Sequence, residues 1–589
     1  MLDPRLYQGA LLPILVAVIV FAFSLQDRPA PATTTLAPDA FVGQRAALDL
    51  RALAAGFPDR RPGSSGDEAL AAAVARRLRA AGPTWTVTKV RSRGETIDGK
   101  RMLTTVLARQ AGAPGPQLVV VSHRDAAGHG AAAELSGTAA MLELARDLAG
   151  GRTRRTVVLA SSSGGSGGAA GIRDVLRQIE GPIAAVLVLG DLAGQTRHRP
   201  YVVGWSDDGG QSSLQLRRTV QAALQQESGL RARAERATTQ WARLAAPFAL
   251  GEQGPVAAQG VPAVLVSLTG ERTPAANDGL DDRRLQGTGR AVLRALTALD
   301  SAPPPPAGVT RDLETLRKVV PAWAVRLVVG SLLLAPALVA LDGLARARRR
   351  RRPVAPWLGW IGATGAVVLG TLLFARLLGV VGLLGPATSP PAPPGAIPLD
   401  GTGWAGLAAA ALAFALLALV LRPALLRLAG AARRVPDDGA GVALVVALVV
   451  VAGALWVVNP YAAALLVPAA HLWLLVASPE APLPRPARLL LVAVGLLPWL
   501  VLVVALERVL GVGPGAAAWW SLLAIAGGQG ALLGWLVWSV GGGCVALAVA
   551  LALRPRPALP VAGGPVSVRG PLSYAGPGSL GGTESALRR

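Results

Sequence analysis

The 589-residue chain has a single cysteine, Cys544, and it lies inside an apolar run. One cysteine cannot close a disulfide within the chain, nor build a cysteine-ligated metal site. Lysine is nearly absent, with Lys89, Lys100 and Lys318 as its three occurrences. The basic excess, 58 Lys+Arg against 35 Asp+Glu for a formal net charge of +23, is therefore carried by arginine. Together with heavy Ala, Gly and Pro usage this fits a GC-rich coding bias. The pI of 11.5 is then no argument for nucleic acid as a partner. Polar surface is also scarce, because a mean hydropathy of +0.45 and 52% hydrophobic residues exceed what an ordinary soluble protein carries.

Apolar runs long enough to cross a membrane, about 20 residues, are missing from 26–318 and frequent elsewhere. The first, Gln8 to Leu25, reads as a signal peptide or an anchor. The small residues near its end offer no clear cleavage site, which favours an anchor over 1–28. After the proline linker SAPPPPAG (301–308), within a linker region 301–318, spans are expected near 319–341, 356–383, 404–422, 438–458, 461–477, 489–511 and 530–553. They make an all-α bundle of about seven helices over 319–553. The segment GAAAWWSLLAIAGGQ (515–529) reads either as an eighth span or as a Trp-rich interfacial segment.

Arginines mark alternate loops: Arg346 and Arg348 to Arg352, then Arg433 and Arg434, then Arg485 and Arg488, then Arg554 and Arg556. Intervening loops such as ATSPPAPPGAIPLDG (387–401) have none. Basic loops stay cytoplasmic. The expected topology places 29–318 outside the cytoplasm and the C-terminus inside, in a bacterial plasma membrane. Lipid is the expected partner, with peptides or another membrane protein as further candidates and nucleic acid excluded. The Gly-, Pro- and Ser-rich tail 554–589 is expected to be disordered. Ionisable residues within spans are costly and are functional candidates: Arg376, His471, and Glu507 with Arg508. Structural roles, an Arg376–Glu507 pair and a backbone-bonded His471, compete with a transport pathway. No inverted repeat accompanies them.

Between residues 40 and 300 strands and helices alternate. GSSGDEALAAAVARRLRAAG (63–82) reads as a capped amphipathic helix, and Ser136 to Leu148 as another. PQLVVVSH (116–123), TVVLA (156–160), AAVLVLGDL (184–192) and PAVLVSL (262–268) read as buried strands. Continuous Val/Leu runs between helices imply a mostly parallel sheet covered on both faces. Sites in such folds lie at the C-terminal strand ends, here SHRD (122–125), SSSGGSGGAAG (161–171) and GDL (190–192). The glycine-serine stretch resembles a flexible spacer, but a strand precedes it and a helix follows.

FPDRRPGSSGDEALAAAVARRLRAAG, LVVVSHRD, SGTAAMLELARDL, VLVLGDLAG and GVPAVLVSLTGERTP occur in that order over about 260 residues. They resemble the entry helix, the His-x-Asp strand, the helix after the bridging aspartate, the Asp-bearing strand and the His-Thr-Pro turn of the family 28 metallopeptidases. These are di-zinc aminopeptidases whose fold also serves glutaminyl cyclases. The resemblance implies a three-layer α/β aminopeptidase-like domain over 29–300, and its layout resembles the membrane-bound, multi-span members. By the same resemblance His123 and Asp191 fall on metal ligands and Asp125 on the residue that orients His123. The bridging aspartate falls on Ala133, the general base on Gly165, the glutamate ligand on Ser166 and the last histidine on Arg272. None of those four can replace its counterpart, since zinc needs His, Cys or carboxylate donors and the bridging water needs a base. His129 and Glu134 are candidate substitute ligands for a rebuilt site. Ser161 to Ser163 suggest a serine nucleophile, but the expectation is that no Gly-x-Ser-x-Gly elbow and no nearby His base accompany them, and His198 has no evident partner. The expected function is binding or scaffolding by a catalytically inactive domain without a cofactor. The alternatives are a zinc aminopeptidase with an altered site, and a transporter carrying an accessory domain.

Overall fold

The structure, a computed structural model, describes residues 4–127, 130–195, 199–385, 387–389, 391–431, 436–478, 483–530 and 532–555. His129, His198, Arg433, Arg434 and the tail from residue 556 lie outside the described residues. The N-terminal part contains helix α1 (Gln8–Phe23), strand β1 (Gln26–Asp27), helices α2 (Gly43–Gly56) and α3 (Ser65–Ala81), and strands β2 (Thr86–Thr96), β3 (Gly99–Gln110) and β4 (Ala113–His123). Then follow α4 (Ser136–Ala149), β5 (Arg155–Ser162), α5 (Ala170–Gln178), β6 (Ile183–Leu189) and β7 (Tyr201–Val203). Next come α6 (Leu214–Ser228), α7 (Ala237–Ala245), α8 (Gln253–Ala258), β8 (Ala263–Ser267), α9 (Asp282–Ser301), β9 (Leu313–Glu314) and β10 (Lys318–Val320).

Seven strands form one sheet in the order β2-β3-β5-β4-β6-β8-β7. The centre is parallel, with β5, β4, β6 and β8 running together. Both edges are antiparallel: β2 pairs β3, β3 pairs β5, and β7 pairs β8. The sheet is therefore mixed rather than mostly parallel. The difference comes from the hairpin β2–β3, whose inner strand β3 runs antiparallel to β5 while burying Val106 and Leu107 on opposite faces, and from β7 at the other edge. The central strands need apolar residues on both faces. On β4, Leu118 and Val120 point into the layer of α2, α3, α4, α6 and α9. Val119 and Val121 point to the opposite layer of α5, α7 and α8, as the period of two requires. Helix α3 starts where the sequence signals it, with the Ser64 side chain accepting from the Asp67 N–H at 3.2 Å.

The C-terminal part is helical: α10 (Ala322–Arg349), α11 (Ala355–Val381), α12 (Gly401–Leu416), α13 (Arg422–Leu428), α14 (Asp438–Val458), α15 (Pro460–Ala464), α16 (Val467–Ala477), α17 (Arg485–Leu510), α18 (Pro514–Ala526) and α19 (Leu532–Leu553). A π turn, Leu417–Leu421, joins α12 to α13. Among the described residues seven helical stretches are long and apolar enough to cross a membrane. Small residues bring α11 and α19 together, since a Cβ on Gly543 would lie 2.3 Å from the Ile361 carbonyl oxygen.

Two apolar helices are shorter. At 1.5 Å per residue the 16 residues of α1 rise about 24 Å, and a 3-10 turn at Pro4–Tyr7 extends it. The 13 residues of α18 rise only about 20 Å, short of a ~30 Å hydrocarbon core. Both ends of α18 lie beside the same face of the bundle: Val512 packs near Phe248, and Gln529 donates to Ser389 Oγ at 2.9 Å. Its path is lateral, which favours the interfacial reading of 515–529 over an eighth span. The α/β part and the bundle are continuous in packing. Sheet residues such as Val186 share a core with bundle residues such as Tyr461, and Trp241 Nε1 donates to the Tyr461 carbonyl at 3.1 Å.

Candidate functional site

His123 ends β4 and Ser162 ends β5, while Asp191 lies two residues beyond β6 and Arg272 lies in the turn after β8. The parallel centre of the sheet thus gathers His123, Glu134, Gly165, Ser166, Asp191 and Arg272 around one small cavity of about 50 Å³. That volume admits a few water molecules.

SSSGGSGGAAG is not a spacer. Every residue from Ser161 to Gly171 is buried, and β5 runs on to Ser162 before the loop turns into α5. Gly164 and Gly168 supply the left-handed turns, at φ of 85° and 80°. Asp125 holds the loop from below: its carboxylate accepts from the Gly165 N–H at 3.0 Å, the Ser166 N–H at 3.0 Å and the Ser166 hydroxyl at 2.5 Å. It is fully engaged there and makes no hydrogen bond to His123, contrary to the orienting role expected from the sequence.

His123 has a different carboxylate. Its Nδ1 faces Glu252 Oε2 at 3.6 Å, and Glu252 Oε1 accepts from Ser162 Oγ at 2.6 Å. Burial works against the protonated ring, but Glu252, Asp125 and Glu134 outweigh it and hold the pKa up at about 9. Glu134, in the 3-10 turn Ala132–Leu135, is met by Arg60 Nη2 at 3.2 Å. Burial raises its carboxyl to about 7, with His123 and Arg60 opposing. Asp191 Oδ1 accepts from the Ala193 and Gly194 N–H groups at 3.0 and 2.8 Å. Burial lifts its pKa to about 6 despite those bonds. Ala133 is wholly buried beside them and offers no donor. Arg272 donates to the Tyr201 hydroxyl at 3.3 Å and the Thr269 carbonyl at 3.4 Å.

A zinc pair needs His and carboxylate donors converging on two points 3.5–4 Å apart. Among the described residues no three His, Cys, Asp or Glu side chains converge in this way. Glu134 is taken by a guanidinium, and the His123 imidazole faces Glu252 at 3.6 Å. The donor set does not fit a zinc pair. Three carboxylate oxygens that line or border the cavity, Glu134 Oε1, Asp191 Oδ2 and Glu252 Oε2, are buried without a hydrogen-bond partner, and ordered water in the cavity would satisfy them.

Several of these residues carry no signal in the sequence. Glu252 belongs to no recognisable motif, and Arg60 lies in the entry segment FPDRRPGSS without having been singled out; their importance comes from burial: Arg60 is 0% and Glu252 2% exposed. The same holds for Arg124, fully buried against Asp67 at 2.8 Å, and for Arg243 against Glu271. Gly164 to Gly168 does spell Gly-x-Ser-x-Gly between a strand and a helix, centred on Ser166 rather than on Ser161 to Ser163. The Ser166 hydroxyl is spent on Asp125, with no imidazole acting as its base.

The helical part contributes to the cavity wall. Pro393, from the loop between α11 and α12, lines it. Ala392 and Ala396 pack on Ile97, Arg173 donates to the Ser389 carbonyl at 2.8 Å, and Trp520 Nε1 donates to the Ala392 carbonyl at 3.0 Å. Within the bundle, the Arg376–Glu507 pair does not form, because Arg376 donates to the Ala526 carbonyl at the end of α18. His471 lies between the Tyr7 hydroxyl at 3.0 Å and the Leu332 carbonyl at 3.1 Å, tying α1 to the bundle.

No protein-family profile matches the chain, and no curated protein matches it in sequence. Among solved structures it is similar to the LapA aminopeptidase of Legionella pneumophila, at 12% identity over 45% of this chain and 72% of that one, with a TM-score of 0.37. It is similar to BSAP, a zinc aminopeptidase from Bacillus subtilis, at 11% identity over 46% of this chain and 98% of that one, TM-score 0.36. It is also similar to an Acidobacteriales bacterium glutaminyl cyclase, at 17% identity over 46% and 99%, TM-score 0.35. Likenesses at this level carry no argument about chemistry or partners, and the α/β architecture of the N-terminal part rests on its own sheet and helices.

Proposed function

We propose that the chain is a multi-span membrane protein whose residues 29–300 form an extracytoplasmic, peptidase-like domain without hydrolytic chemistry, acting by binding or scaffolding. The observation that carries this reading is the filling of the strand-end cavity by charges of the protein itself. Arg60 answers Glu134 and His123 faces Glu252. Both carboxylates are engaged by side chains of the protein where a metal-dependent hydrolase needs bare donors. Pro393, from the helical part of the chain, lines what space is left. The domain's inner layer is packed into the bundle core, which supports a shared structural role for the two parts.

A second reading keeps a single metal ion near His123 and Asp191, favoured by the three unpartnered carboxylate oxygens. One experiment separates the two. The full chain, purified in detergent and equilibrated with zinc, is analysed for bound metal by elemental mass spectrometry. The first reading expects a zinc content near zero and no release of N-terminal residues from peptides. One zinc per chain, lost in His123→Ala, would establish the second.

A further inference from the structure

A second cleft, far larger at about 940 Å³, lies on the α/β part between the coil 229–236, α6 and the turn joining β9 to β10. Seven arginines and two glutamates line it, an excess of five positive charges. Part of that charge is structural. Arg28 and Arg217 share Glu314, at 2.9 and 3.1 Å, and Arg233 stacks over the Tyr201 ring at 5.5 Å. Arg218 donates to the Pro29 carbonyl, and three arginines remain. Arg231, Arg236 and Arg317 are exposed and make no ion pair or side-chain hydrogen bond among the described residues. Guanidinium groups gathered in a concave wall focus positive potential and match phosphate oxygens in geometry.

The position of the cleft indicates which phosphates. Its rim is the place where the chain enters and leaves the bundle. Arg28 follows the end of α1 by five residues and Arg317 precedes the start of α10 by five. The two exits are tied together, because Asp27 pairs with Lys318 across β1 and β10. Five residues span at most about 17 Å. That distance is bridged by a headgroup layer of roughly 5–7 Å and a Debye length of ~8 Å. At the tip of the β9–β10 turn, Leu316 is 89% exposed beside Arg317. A soluble anion has no use for that apolar tip, whereas a lipid surface does.

We propose that this cleft binds the phosphate headgroups of anionic lipids at the face of the membrane that carries the α/β domain. The inference rests on the reading of the helical part as a membrane bundle, which the detergent dependence of solubility tests separately. The full chain in neutral detergent is titrated with short-chain phosphatidylglycerol and with phosphatidylcholine, at low and at high salt. Phosphatidylglycerol is expected to bind more tightly, with affinity falling as salt rises. Changing Arg231, Arg236 and Arg317 together to Gln should weaken it on the order of 100-fold, and changing them to Lys should restore most of it. The Gln variant should unfold at the wild-type temperature in phosphatidylcholine; if it does not, Arg317→Gln alone, on an exposed turn, replaces it with an expected loss of about fivefold. Equal binding of the two lipids, or an unchanged Gln variant, overturns the proposal. Full competition by inorganic phosphate overturns the lipid source in favour of a soluble phosphate. Displacement by a polyglutamate peptide more readily than by lipid overturns it in favour of an acidic protein partner.

Discussion

Gly165 stands over His123. A Cβ built on it would lie 2.4 Å from the His123 Cβ and 3.0 Å from Nδ1. The imidazole has therefore moved into space that a side chain at 165 would need, and the two residues define each other. Gly165→Ala is expected to lower stability by about 1–3 kcal/mol through overpacking, and Gly165→Glu should give no hydrolysis while being less stable still. The double variant His123→Ala/Gly165→Ala should recover part of the loss, a coupling that thermal unfolding of the four proteins measures directly. A neutral Gly165→Ala would mean that His123 is free to swing away. His123 and Asp191 were legible in the sequence as residues at strand ends, because an apolar run followed by a polar residue marks such an end. Their partners were not. Glu252 lies 129 residues after His123, and only the parallel order β4, β6, β8 and the helix α8 before β8 bring the two together.

The loop Ala387 to Leu399 shows what composition conceals at the level of elements. Its sequence offers prolines and no charge, which sets only an expectation of its side of the membrane. In the fold its Pro393 lines the strand-end cavity, and Trp520 and Arg173 fasten Ala392 and Ser389 beside it. Ser166→Cys places a near-isosteric thiol, in a residue 4% exposed, in the wall of that cavity. Cys544 is buried within the bundle and does not compete for reagent. Alkylation of Ser166→Cys is expected to be slow in the intact protein and at least about tenfold faster once Trp520→Ala removes the indole N–H bond to Ala392. That gain corresponds to a bond worth on the order of 1 kcal/mol or more plus its packing. Equal rates in both backgrounds would show that the loop does not guard the cavity. The hairpin β2–β3 was likewise illegible, because its alternating charged residues look like a solvated loop until the sheet edge pairs them.

At the scale of the molecule, the residues that join the bundle to the α/β part lie at one end of the helices. Asn459, at the end of α14, donates to the Leu244 carbonyl at 2.7 Å. Leu510, at the end of α17, packs with Phe248. The opposite end is basic: Arg488, near the start of α17, donates to the Leu551 and Arg554 carbonyls at the end of α19. This polarity agrees with the positive-inside expectation and yields a topology test in sealed, right-side-out vesicles. Ser301→Cys should react with an impermeant maleimide from outside, and Ser579→Cys only after permeabilisation. Reaction of both from outside would reverse the proposed placement of the tail.

Hydropathy by itself determined the seven long apolar helices and the alternation of the central buried strands with helices, because those depend on which residues must leave water and on the local period of side chains. It could not determine whether the strand-end cavity is open, charged or filled. That depends on which guanidinium lies against which carboxylate, and on a proline from the far half of the chain. Both are contacts between residues distant in sequence, so only the tertiary structure could decide them.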